Sequence, residues 1–281
     1  MIANRNAQAN GAFAIAKADM IEGMAKGMAV LESFDTQRQR LNATLAAERA
    51  GITRAAARRH LLTLTHLGYL ETDGSYYWLA PKVLRFSGSY LATARLPRAV
   101  QPTLNRLAAQ TQMSFSVAVL DGDEVVIIGR SGFEWRLADQ PFKSAQPRPL
   151  AYGLHLGARL PAHATSTGRM LLAAKSTSGF NVWLKLRYET GNLTRLTLHT
   201  TTDPRKLRAL IKQVRIDDYC QVSEEHELGV HALAVPLRDM QGRTVAALNL
   251  VSSPQRMRAE AMQKDFLPLL LDAAVEIRPL L

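Results

Sequence analysis

The sequence predicts an α+β chain with an N-terminal winged helix-turn-helix, a linker helix and a larger C-terminal domain that mixes helices with antiparallel strands. Three observations carry that prediction. Residues 42–67 read as two capped helical patterns separated by one glycine, and residues 69–80 as two short strands around Asp73-Gly74. Beyond residue 112, two pairs of alternating apolar segments flank the turn signals Asp121-Gly122-Asp123 and Gln241-Gly242.

The chain has 281 residues, enough for two cores of ordinary domain size, roughly 100 to 150 residues each. Residues 1–20, rich in Ala and Asn, are expected to form a mobile arm. They have neither the compact apolar stretch nor the cleavage site of a signal peptide. Residues 21–80 are expected to hold the winged helix-turn-helix, 81–96 the linker helix, and 97–281 an effector-binding and oligomerisation domain. Hydrophobic residues make up 47% of the chain, but no apolar run approaches the ~18 residues of a membrane span. A soluble protein with no membrane partner is expected. Cys220 is the only cysteine, which excludes an internal disulfide and a thiolate metal cluster and fits a reducing cytoplasm. The net charge of +11 and pI near 10.1 favour a polyanionic partner.

In the first helical pair, Asn42 caps ATLAAERA, with Leu45 and Ala46 facing inward, and Thr53 caps a second helix that starts at Arg54 and stops at Gly68. At about 100° per residue, Ala57, His60, Leu61, Leu64 and Leu67 gather on one side, and Arg54, Ala55, Arg58 and Arg59 spread over the other. One face packs and the other is cationic. Residues 38–59 hold six arginines (Arg38, Arg40, Arg49, Arg54, Arg58, Arg59) against one acid, Glu48.

Small residues at Ala55 and Ala56 let the helix start approach base edges, where arginine bonds guanine bidentately or clamps phosphate. Arg38, Arg40, Tyr76 and Tyr77 are expected at the DNA backbone, with Thr53 at the helix start. A surface arginine usually belongs to a solvated face. The capped helix, small N-terminal residues, tight turn and hairpin together favour double-stranded DNA as the partner.

Residues 81–93 read as a helix despite Gly88, with Val83, Leu84, Tyr90 and Leu91 apolar, and it is expected to pair with its twin. Residues 96–113 read as another helix, with Leu104, Leu107 and Ala108 in an apolar stripe and Pro97 and Pro102 near its start. The stretch 147–175 runs from loop to helix, with Thr165, Ser166 and Thr167 where the helix begins. Hydroxyls and free amides there form a positive-ended pocket suited to a carboxylate, the alternative being an ordinary N-cap with polar neighbours.

AVLESF (29–34), ITRAAARRHLLTLTHLGYL (52–70), the hairpin, RLPAHATSTGRMLLA (159–173), EEHELGVHALAVPLRD (224–239) and GRTVAALNLVS (242–252) resemble the IclR family of bacterial transcription regulators. The resemblance spans roughly residues 24 to 275, and its wording is most similar to the branch controlling protocatechuate, 4-hydroxybenzoate and β-ketoadipate catabolism. It implies a GAF-like effector domain with a curved antiparallel sheet, and a homodimer or homotetramer on a palindromic operator. It also implies a small organic or aromatic acid as effector, held by strand positions that include Asn249 and His231. Asn249, His231 or Ser223 would meet phenolic hydroxyls, and Arg159 a carboxylate. Where some small-acid sensors of the family carry Asp, Cys and Ser, this chain has Val222, Ala232 and Asn249. That argues against a glyoxylate-type ligand and for something larger and partly apolar, with 4-hydroxybenzoate favoured. The rival expectations are a non-aromatic acid such as β-ketoadipate, or an oligomeric DNA-binding protein with no effector.

No nucleophile elbow, metal-binding histidine pair, P-loop or dinucleotide loop occurs, and EEH at 224–226 lacks a partner at metal-ligand spacing. No catalytic residue, metal or cofactor is expected.

Overall fold

A computed structural model describes residues 15–35, 38–131, 155–191, 193–254 and 256–281. Residues 1–14 of the expected arm and the start of the 147–175 stretch, through residue 154, lie outside the described residues. The chain divides into two units, Met1–Ala92 and Thr93–Leu281.

In the first unit, α1 (Glu22–Leu31), α2 (Ala43–Ala50) and α3 (Arg54–His66) pack around Val30, Leu41, Ala46, Ala57, Leu61 and Leu64. Asn42 accepts the Thr44 and Leu45 amides at the start of α2, and Gly51 ends that helix in the left-handed conformation, φ 64°. Thr53 Oγ1 accepts the Ala56 amide at the start of α3. The hairpin is β1 (Leu70–Thr72) against β2 (Tyr77–Leu79), and Leu41 bridges antiparallel to Tyr77 along the other edge of β2. Two expectations are corrected. Leu67, placed on the packed face of the helix, is exposed, and Tyr77, placed at the DNA backbone, is a buried core residue. Strand alternation turns Tyr77 inward and Tyr76 outward. After a 3₁₀ turn at Pro81–Val83, α4 (Leu84–Thr93) has no buried residue, and Phe86 stacks on Tyr69.

The second unit opens with α5 (Arg95–Thr111). Pro102 lies in the middle of α5 rather than near its start. Its missing N–H removes one helical bond, but burial of Val100, Thr103, Leu104 and Leu107 holds the helix through it. Strands β3 (Ser114–Asp121), β4 (Glu124–Arg130), β5 (Arg159–Pro161), β6 (Cys220–Ser223), β7 (His231–Arg238) and β8 (Thr244–Ser252) form one antiparallel sheet in the order β5-β4-β3-β8-β7-β6.

Both faces of the sheet are covered. Ala118, Val222, Ala234 and Ala247 pack with Leu172 of α6 (Ser166–Ala174), Trp183 of α7 (Thr177–Glu189) and Ile211 of α8 (Pro204–Asp217). Val117, Leu233, Val235, Leu248 and Leu250 pack on the other face with Leu104 and Leu107 of α5 and with Met262 and Leu270 of α9 (Ala259–Ile277). No helix among the described residues is long and apolar enough to cross a membrane.

Candidate functional sites

The cationic face of α3 is built from its first two turns. Thr53 fixes the start of the helix, and Arg54, Ala55, Arg58 and Arg59 are all exposed. Among the described residues, no acid pairs with Arg54, Arg58 or Arg59. Arg38 is exposed as well. The other two arginines of the predicted cluster are engaged: Arg49 pairs with Asp35, and Arg40 Nη2 lies 2.6 Å from Asp73 Oδ2. Tyr76, at the turn of the hairpin, is exposed. An unpaired guanidinium row on a capped helix, beside a hairpin, can enter a groove and bond phosphates or base edges.

At the start of α6 the chemistry is buried. Thr165 Oγ1 donates to the Pro161 carbonyl at 3.1 Å and accepts the Gly168 amide at 3.2 Å. This hydroxyl is committed to the cap, which corrects its assignment to a ligand. Ser166 is 1% exposed, and among the described residues its Oγ has no hydrogen-bond partner. The amides of Ser166 and Thr167 are first-turn donors without an intrahelical acceptor. Gly168 admits the close approach that closes this corner: a Cβ there would stand 2.3 Å from the Ala162 Cα and carbonyl oxygen.

On the sheet face that α6 covers, the Asn249 amide oxygen accepts the Ser116 hydroxyl at 2.5 Å across β3–β8, and Ala234 faces it on β7. Ser223 and His231 do not join this group. Alternation from Val222 and Ala234 puts them on the opposite face, where Ser223 Oγ meets His231 Nδ1 at 2.7 Å beside Ser252. Their assignment to one pocket with Asn249 is therefore corrected, because one residue of phase decides which face a strand residue serves. Arg159 is corrected too: it lies in edge strand β5, with its guanidinium 2.6 Å from Glu124 and 2.8 Å from Asp121. The protein's own carboxylates occupy it. An open groove lined by Asn181, Lys185, Tyr188, Arg205 and Arg208 contains none of these residues.

Sequence reading missed a buried network around the α6 start. Arg169, 2% exposed, makes a bidentate pair with Glu225 (2.7 and 2.5 Å) and donates through Nε to the His163 carbonyl. Glu225 also accepts the Thr201 amide, and the Thr200 hydroxyl donates to its backbone carbonyl. His163 Nε2 meets the Thr194 carbonyl, and burial holds the ring below its ordinary pKa, only partly offset by that contact. Three loops are thus tied to one guanidinium. The available signal was an arginine immediately before the apolar run MLLAA in the same helix, since such a residue needs a partner when buried. Its partner stands 56 residues away. Among the described residues, no group of three His, Cys, Asp or Glu is placed to hold a metal ion.

A capped helix with an open cationic face and a flanking hairpin, carried on one chain with a separate two-faced α+β unit, defines a DNA-binding regulator. The chain belongs to the IclR family of bacterial transcriptional regulators. Residues 23–74 match the IclR helix-turn-helix domain and residues 88–278 the C-terminal domain of bacterial transcriptional regulators of that family. The chain is 51% identical over 263 residues to the Pca operon regulatory protein of Acinetobacter baylyi, covering 94% of this chain and 90% of the relative. It is 48% identical over 262 residues to the p-hydroxybenzoate hydroxylase transcriptional activator of the same organism, covering 93% and 92%. Among solved structures it is similar to the inducer-binding domain of a double mutant of PobR from Acinetobacter, in complex with 3-hydroxybenzoic acid. The two are 42% identical with a TM-score of 0.56, covering 66% of this chain and 98% of that one.

Proposed function

We propose that this chain regulates aromatic-acid catabolism by coupling operator binding to a hydroxybenzoate held in its second unit. The observation that carries the reading is the buried Ser166 hydroxyl, unpartnered among the described residues, beside two first-turn amides that have no intrahelical acceptor, three donors for a carboxylate. Asn249 and Ser116 on the facing sheet supply polar groups for a ring hydroxyl, and Ala118, Ala234 and Ala247 place small apolar side chains on that face. Relatives named for the Pca operon and for p-hydroxybenzoate hydroxylase support the same substrate class.

In the proposed mechanism a cytoplasmic homodimer or homotetramer places two α3 helices in successive major grooves. Arg54, Arg58 and Arg59 engage bases and phosphates there, and Arg38 and Tyr76 the DNA backbone. The acid acts through its different affinity for two subunit arrangements.

The test is a titration of the purified chain with 4-hydroxybenzoate, protocatechuate, 3-hydroxybenzoate and β-ketoadipate, following melting temperature and DNA affinity together. Stabilisation by a hydroxybenzoate that is weakened by Ser166→Ala supports the proposal. Response to β-ketoadipate alone transfers the site to a non-aromatic acid, and no response to any of the four leaves a regulator without this effector class.

A further inference from the structure

Arg40 differs from the other arginines before and within α3. Its Nη2 lies 2.6 Å from Asp73 Oδ2, and its guanidinium carbon stands 4.5 Å from the Trp78 ring centroid and 5.9 Å from that of Tyr76. All three of these partners, Asp73, Tyr76 and Trp78, are in the hairpin. Trp78 is itself fixed, since its Nε1 donates to Glu71 Oε2 across the strand pair at 2.9 Å. Asp73 is fixed too: its Oδ1 accepts the Ser75 and Tyr76 amides at 3.0 and 2.8 Å, which hold its carboxyl below the ordinary carboxylate pKa. The residue after Arg40, Leu41, exchanges backbone bonds with Tyr77 at 3.0 and 2.8 Å and leads directly into the capped start of α2.

Resting on the DNA-binding reading of this unit, we infer that Arg40 is a positioning residue for DNA recognition. It clamps the wing to the segment that leads into α2 and so sets where Tyr76 stands relative to α3, and it is not a phosphate contact. Its Nη2 is paired with Asp73 and its guanidinium face lies over Trp78, whereas among the described residues no acid or ring holds Arg54, Arg58 or Arg59. Bringing Asp73 next to a duplex adds like-charge repulsion, so the acid is useful there only if the wing geometry it fixes outweighs that repulsion.

This reverses the sign expected from charge alone. Asp73→Asn keeps the Oδ1 acceptor of the turn and removes the carboxylate facing Arg40. The experiment measures binding of the full chain to a duplex selected by the wild-type chain from a random-sequence library, over a range of salt concentrations, with melting temperatures alongside. Expected are affinity losses of about three- to tenfold for both Arg40→Ala and Asp73→Asn, in line with an exposed pair reinforced by ring stacking. The double variant should be no weaker than either single one, and the salt dependence unchanged. The inference is overturned if Asp73→Asn binds as well as or better than wild type. It is equally overturned if Arg40→Ala lowers the slope of log affinity against log salt by about one, the signature of a lost phosphate contact. Arg58→Ala, run in parallel, reports on the DNA-binding reading: unchanged affinity there would defeat the role of α3 and leave the clamp to be judged on its own two variants.

Discussion

Helices α3 and α6 begin with the same local device and end in opposite environments. Each has a threonine N-cap whose hydroxyl accepts the amide three residues on, at 3.3 Å for Thr53 and 3.2 Å for Thr165. Each carries an arginine within its first four residues, Arg54 in one and Arg169 in the other. The start of α3 is open, and its guanidiniums face solvent. The start of α6 is buried on every side, and its guanidinium is locked to Glu225. Capping chemistry decides where a helix starts; what covers that start decides whether its donors are open to solvent or enclosed by the protein.

The sharpest way to break the comparison is to remove one arginine from each helix. Arg169→Ala leaves Glu225 buried without its counter-charge and should cost about 3–5 kcal/mol in stability, measured by denaturant unfolding. A loss below about 1 kcal/mol would mean that the pair does not hold this corner together. Arg58→Ala should change stability by less than about 0.5 kcal/mol, yet weaken operator binding by roughly ten- to a hundredfold. Equal effects of the two substitutions on unfolding would erase the distinction drawn between the helices.

The capping threonines give a smaller contrast. Thr165→Ala removes a cap and a second bond, to Pro161, in a buried setting and should cost about 1–2 kcal/mol, whereas Thr53→Ala at an exposed cap should cost about 0.5–1 kcal/mol. Calorimetry on both variants would check the order. The weakest expected effect is on pH. Burial lowers the pKa of His163 from its ordinary 6.5, so the unfolded chain binds the proton more readily than the folded one. Stability from this group is therefore full above about pH 6.5 and drains away as pH falls below that toward the folded-state value. The melting temperature of the wild-type chain should fall over that window, and His163→Gln should flatten the fall.

The DNA-reading unit was largely legible from sequence because its signals are local. Asn42, Gly51, Thr53 and the Asp73-Gly74 turn each act within a few residues. The hairpins of the larger unit were legible for the same reason. The proposed effector site was legible only in part. The α6 start could be found from its own residues, and Asn249 from its polarity in an apolar strand. Arg169 with Glu225 and Ser116 with Asn249 are pairs separated by 56 and 133 residues, and no local pattern links them.

By itself, the order of residues determined where helices start and stop, which segments turn back as hairpins, and that a cationic row would stand opposite an apolar stripe on α3. These follow from backbone hydrogen bonding and side-chain period, which act within a turn or a strand pair. Only the tertiary structure decided that Ser223 and His231 face away from Asn249, that Arg159 and Arg40 are already paired, and that Thr165 is spent on its cap. Those outcomes depend on sheet register and on which distant carboxylate or carbonyl comes within 3 Å, and chain folding alone sets that distance.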